Sequence, residues 1–139
     1  MSLQRFVDAQ EPVYRQALGE LLAGAKRSHW MWFIFPQIAG LGRSATAQFY
    51  AIADGAEARA YLAHPVLGPR LGECTDAMLE WAGRRSAEAI LGPIDALKFR
   101  SSMTLFEVAA EGADDRYARA LEAFYSGERD RATLERLRA

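Results

Sequence analysis

Apolar residues along this chain recur at intervals of three and four, and nothing alternates long enough to make a convincing strand. That period gathers them on one face of a helix, so the pattern predicts an all-α protein. Leu3 to Ala9 reads as a short amphipathic opening. Pro12 suits the first turn of a second helix carrying Val13, Ala17, Leu18, Leu21 and Leu22 inward until Gly24 ends it. Ser28 can cap a short apolar helix through Trp30, Trp32, Phe33 and Ile34, which Pro36 stops. Beyond the loop Gln37 to Ser44, Ser44 can cap a helix bearing Phe49, Tyr50 and Ile52. Asp54 and Glu57 have capping-box spacing ahead of a helix through Tyr61 and Leu62, broken at His64-Pro65. A longer helix around Val66 to Trp81 carries Leu67, Leu71, Cys74, Met78 and Trp81, and Ser86 to Leu91 makes a short one. After Gly92-Pro93, Asp95 can cap a strong helix whose Phe99, Met103, Phe106 and Ala110 share a face. Two short helices follow, Asp114 to Tyr125 and Asp130 to the end. Frequent breaks, with no repeat or linker, describe an irregular globular bundle of about seven to nine short helices, one α-helical domain over 1–139.

A chain of 139 residues, half of them hydrophobic, is long enough for one core. A formal net charge of -1 argues against general nucleic-acid binding and against a polybasic membrane binder, since both need a sustained positive field. The first residues have neither the basic start nor the apolar run of a signal peptide, and no window approaches a membrane span, so a cytoplasmic protein without membrane contact is expected. The single cysteine, Cys74, lies in an apolar helical stripe. With only two histidines beside it, neither a metal site nor a cofactor is expected.

Charge type changes the picture more than net charge does. Of the seventeen basic residues only Lys26 and Lys98 are lysine. Lysine supplies a compact ammonium where arginine supplies a planar fork, so a site that needs a point charge would resist the bias toward arginine. Lys26 opens the densest stretch of the chain, K-R-S-H-W-M-W-F-I-F-P-Q, ending at Gln37. A helix so apolar all round is ordinarily buried, which would bring Lys26, Arg27 and His29 close to the core, where unpaired charge is costly. They must find acidic partners, solvent or a ligand anion. Ser28 as N-cap would add a helix N-terminus that attracts anions.

Lys98 lies in D-A-L-K-F-R-S-S-M-T-L-F-E, three and four residues from Ser101 and Ser102, with Leu97, Arg100 and Thr104 on a neighbouring stripe. Cations and hydroxyls in a cluster match a phosphate or carboxylate, whereas a merely solvated face would mix in Glu and Gln.

Four motifs together resemble the bacterial domain-of-unknown-function family 1810: K-R-S-H-W-M-W-F-I-F-P-Q, G-L-G-R-S, Y-L-A-H-P-V-L-G-P-R-L and L-K-F-R-S-S-M-T-L-F. The resemblance covers nearly the whole chain and implies a mainly α-helical protein, with no settled activity to carry over. A "calpastatin" label attached to some members describes an extended inhibitor without a packed core, which this aromatic-rich chain does not match. A similarity in kind to the NADAR enzymes, small helical proteins that process ADP-ribose derivatives, implies a class of ligand.

The first expectation is therefore a basic, aromatic-lined pocket for a phosphorylated or nucleotide-like small molecule, possessing Lys26, Arg27, Ser28, Trp30, Trp32, Gln37, Lys98, Arg100 and Ser101 as binding residues. In an enzyme, His29 would be the general acid or base and Glu107 its carboxylate partner. The alternative is a regulatory module that binds a protein partner through exposed Trp and Phe edges. The pocket reading requires Lys26 and Lys98 to meet across about seventy residues of sequence.

Overall fold

Ten helices occupy residues 2–138, which the computed structural model describes. They are α1 (Gln4–Gln10), α2 (Tyr14–Leu22), α3 (Met31–Ile34), α4 (Ala45–Phe49), α5 (Gly55–Ala63), α6 (Leu67–Leu79), α7 (Ala87–Leu91), α8 (Pro93–Ala110), α9 (Arg116–Tyr125) and α10 (Arg131–Arg138). The all-α architecture expected from the periodicity is what the chain adopts. Among the described residues the only β-type pairing is one isolated parallel bridge, Ile38 with Ile52. None of the described helices is long and apolar enough to cross a membrane.

Helix α8, 18 residues long, packs against α5, α7, α9 and α10. Phe99, Met103 and Phe106 lie fully buried along it, as their three- and four-residue spacing requires. Phe35 meets Phe99 edge to face at 4.8 Å between ring centroids, and Tyr61 of α5 lies 5.3 Å from Phe106. These aromatic pairs tie α3 and α5 to the central helix.

Several boundaries follow the local chemistry. Ser44, Asp54 and Ser86 each accept a hydrogen bond from the backbone N–H three residues on, capping α4, α5 and α7. Gly24 ends α2 at a φ of 71°, and a Cβ there would come within 2.8 Å of the Trp81 ring. Trp81 in turn donates its indole N–H to the Leu21 carbonyl at 3.0 Å.

Among the boundaries that differ from the sequence reading three stand out, and two of them matter for the lysine cluster. Ser28 does not cap α3; Trp30 occupies the N-cap position without a side-chain cap, and the Ser28 hydroxyl is drawn elsewhere. Asp95 does not cap α8, because Pro93 takes the first helical position, where its missing N–H costs nothing. Gly92 at φ 90° makes the turn ahead of it, and Asp95 falls within the first turn with its carboxylate free for other partners. Finally, α4 stops at Phe49 and not Ile52, since Ile52 exchanges backbone hydrogen bonds of 2.8 Å with Gln37 and Ala39.

Arg5 secures that return. Its guanidinium donates to the carbonyls of Ser2, Phe49 and Ala51 at 2.6–2.8 Å and also meets Glu57, fastening residues 49–51 onto α1.

Trp30 is 1% exposed, and its indole N–H bonds to a buried carboxylate, so Trp30→Ala should lower unfolding stability by about 3–5 kcal/mol. Urea denaturation measures it; a loss below about 1 kcal/mol would show that this ring is not core.

Candidate functional site

The segment carrying Lys26 to Trp30 is shaped by one side chain from the preceding helix. Glu20, buried in α2, accepts the backbone N–H groups of Arg27 and Ser28 at 2.8 and 3.1 Å. It also accepts the Ser28 hydroxyl at 2.7 Å and the Trp30 indole N–H at 2.9 Å. The anion that this loop attracts is thus the chain's own carboxylate. Burial pushes the Glu20 pKa up, but the hydrogen bonds from Arg27, Ser28 and Trp30 outweigh it and hold the carboxyl at about 2.

The loop so fixed delivers Lys26 to the start of α8. Its backbone N–H donates to the Ile90 carbonyl at 2.8 Å, and its ammonium lies 2.9 Å from Asp95 Oδ2. Lys98, one turn further along α8, approaches the other oxygen of the same carboxylate at 3.9 Å. Both lysines also face tryptophans: Lys26 Nζ is 5.1 Å from the Trp30 ring centroid and Lys98 Nζ 5.7 Å from that of Trp32. The chain's only two lysines therefore meet, flanking one aspartate between two indoles.

The other candidate residues divide around this cluster. Arg27 and His29 have exposed side chains on the loop. Trp30 belongs to the core, while Trp32 is half-buried. Gln37 and Trp32 line a cavity of about 10 Å³ with Tyr50 and Ala51, room for no more than one water. Arg100 and Ser101 turn toward α10. Ser101 donates to Asp130 Oδ2 at 3.0 Å, and the Arg100 guanidinium lies 4.0 Å from Asp130 Oδ1, beyond hydrogen-bond reach. Asp130 also accepts the backbone N–H and hydroxyl of Thr133, making it the organiser of the α8–α10 contact. Glu107 receives two hydrogen bonds from Arg129, at 2.9 and 2.5 Å, and is thereby occupied in a bidentate pair.

Sequence reasoning missed Asp95 and Glu20. Asp95 was hidden by its suitability as a cap. Glu20 carried no local signal at all, because what it binds begins seven residues later and depends on the fold. Burial raises the Cys74 thiol to about 12, as befits an inert core cysteine. Among the described residues no cluster of three His, Cys, Asp or Glu side chains is placed to hold a metal ion. A separate cleft of about 490 Å³ lies between α5, α6, α8 and α9, lined by Arg59, Asp114, Arg116 and several alanines, with Arg116 paired to Asp114.

The fold is that of a small all-α protein, with two lysines and two tryptophans clustered around one aspartate. The chain belongs to the family described as protein of unknown function (DUF1810), which it matches over residues 1–137. It is similar to the conserved hypothetical protein Rv1873 from Mycobacterium tuberculosis, known from a crystal structure. The two are 50% identical with a TM-score of 0.94, the match covering 99% of this chain and 96% of that one. No curated protein matches the chain.

A carboxylate held at about 2 stabilises the fold fully above its ordinary value of 4.5, and that contribution is lost as pH falls from 4.5 toward 2. Glu20→Gln should cost about 1–3 kcal/mol at pH 7, since it leaves buried donors short of an acceptor. The gap between wild type and variant should close as pH falls through that window in parallel urea titrations. A gap that stays constant would mean Glu20 acts by shape alone.

Proposed function

We propose that the protein binds a small phosphorylated or nucleotide-like anion, of the ADP-ribose type, where Lys26, Asp95 and Lys98 meet beside Trp32. The observation that carries this reading is the convergence of both lysines on a single carboxylate. Two ammonium groups against one carboxylate leave one positive charge in surplus. At 3.9 Å the contact of Lys98 with Asp95 is too long for a hydrogen bond, so the three donors of that ammonium remain for a ligand. A half-buried position strengthens the attraction relative to open solvent. The Trp32 face beside Lys98 offers a surface on which a planar base or a sugar can stack. Arg27, exposed on the same loop, adds long-range attraction. Should the bound molecule react, His29 is the exposed imidazole on that loop and the general acid or base of the reaction.

A second reading draws on a different observation. Ile94 and Leu97, on the first turns of α8, are 71% and 60% exposed and adjoin the lysine cluster along the helix. They supply apolar surface for a protein partner. Of the aromatic edges first expected for that role, Trp30, Phe33 and Phe35 are buried, Trp32 is half-buried and Phe49 is exposed.

Lys98→Met keeps much of the aliphatic stem and deletes the charge. It should alter stability by less than about 1 kcal/mol, the scale of one partly exposed charge contact. In a thermal-shift screen of inorganic phosphate, sugar phosphates, mononucleotides and ADP-ribose at least one should raise the wild-type Tm by several degrees, since a ligand at a hundred times its Kd contributes about 2.7 kcal/mol. The variant should lose that response. If no anion shifts the wild type, or both proteins respond equally, the partner-binding reading takes its place.

A further inference from the structure

Resting on the anion site just described, we propose that Asp95 is its specificity-determining residue. It holds one of the two lysine charges and so selects a singly charged oxyanion, such as a phosphodiester, a sulfate ester or a carboxylate, over a doubly charged phosphate monoester. The two lysines are not equivalent. Lys26 is fixed: its side chain is 10% exposed, its ammonium is 2.9 Å from Asp95, and its backbone is tied to Ile90. Lys98 is 30% exposed and stands 3.9 Å from the carboxylate, so it is the lysine that a ligand can reach.

An oxyanion oxygen bonded to Lys98 sits within about 7 Å of Asp95 Oδ1, the sum of the 3.9 Å contact and one hydrogen bond. The first negative charge on the ligand balances the surplus charge of the cluster. A second has no cation left to meet it there, because Lys26 is already committed to Oδ2. It also lies close to a like charge in a half-buried setting, where repulsion is weakly screened. The desolvation cost grows steeply with charge as well. Arg100, which could have supplied another cation from α8, faces Asp130 and the Tyr125 ring instead. Arg27 is exposed, and its charge is screened by solvent and salt.

Phenyl sulfate and phenyl phosphate test this, because they share a ring for Trp32 and a tetrahedral head yet differ by one charge at pH 8, above the second ionisation of a phosphate monoester. Isothermal titration calorimetry on the full chain should find phenyl sulfate bound at least as tightly as phenyl phosphate. Asp95→Asn should move the ratio of affinities toward phenyl phosphate by about tenfold, as removal of one nearby like charge requires. Asp95→Ser is a second neutral variant should the first fail to fold, and the wild-type ratio tests the proposal on its own. Benzoate serves as the planar monoanion; its binding ahead of phenyl sulfate would support a carboxylate ligand, and the reverse order a tetrahedral ester. A wild type preferring phenyl phosphate by about tenfold or more, or a folded neutral variant whose ratio stays within about twofold, overturns the role of Asp95 while leaving the anion site standing. Absence of any Lys98-dependent binding of all three probes sinks both.

Discussion

One buried carboxylate governs where the side chains of the lysine and tryptophan cluster stand. Glu20 accepts hydrogen bonds from two successive backbone N–H groups, a hydroxyl and an indole, all within residues 27–30. A loop leaving a helix would ordinarily take many conformations, and fixing each residue costs on the order of 1–2 kcal/mol in backbone entropy. Charge-assisted hydrogen bonds to one acceptor offset that cost and make the conformation single-valued. With 27–30 fixed, Lys26 just ahead can reach only the start of α8, and Trp30 can enter only the core. The polar cost of burying Glu20 is met by the residues that Glu20 itself positions.

The second determinant is the proline at the head of α8. Because Pro93 begins the helix, Asp95 lies inside the first turn, and its side chain need not serve the backbone. Had the helix begun at Asp95, the carboxylate would have folded back onto its own N–H groups and the lysines would have met as two unpaired cations. The position of one imino acid thus decides whether like charges can share a surface. The site and the helix boundary are one structural fact.

Local features were legible in the sequence wherever their causes were local. Ser44, Asp54 and Ser86 cap the helices they precede, and the buried stripe Phe99, Met103 and Phe106 follows from spacing alone. The meeting of Lys26 with Lys98 was legible too, through the scarcity of lysine in an arginine-rich chain. What escaped were competitions settled at long range. Ser28 has the chemistry of a cap, yet Glu20 outbids the α3 backbone for its hydroxyl. Ser101 lies three residues from Lys98 on the helix, yet Asp130 draws it to the α10 side. Ile52 has a helical neighbourhood, yet two backbone hydrogen bonds to residues 37 and 39 pull it straight. In each case the residue type offered two partners, and the sequence around it shows only one.

The densest aromatic stretch resolves into both of its readings for a geometric reason. Residues two apart on a helix point in nearly opposite directions, so α3, which buries Ile34, leaves Trp32 half-buried. The same turn can serve the core and the site without compromise to either. Division of labour among the cations follows a parallel logic. Arginine forks are used where several fixed acceptors must be joined at once, as Arg5 joins three carbonyls and Arg129 grips both oxygens of Glu107. Such a guanidinium is spent on structure. At Asp95 two compact charges share one carboxylate, and the geometry leaves Lys98 short of a full hydrogen bond. A planar fork in its place would grip the carboxylate bidentately and close the site on itself, whereas an ammonium on a flexible stem can hold Asp95 loosely and still turn to something else.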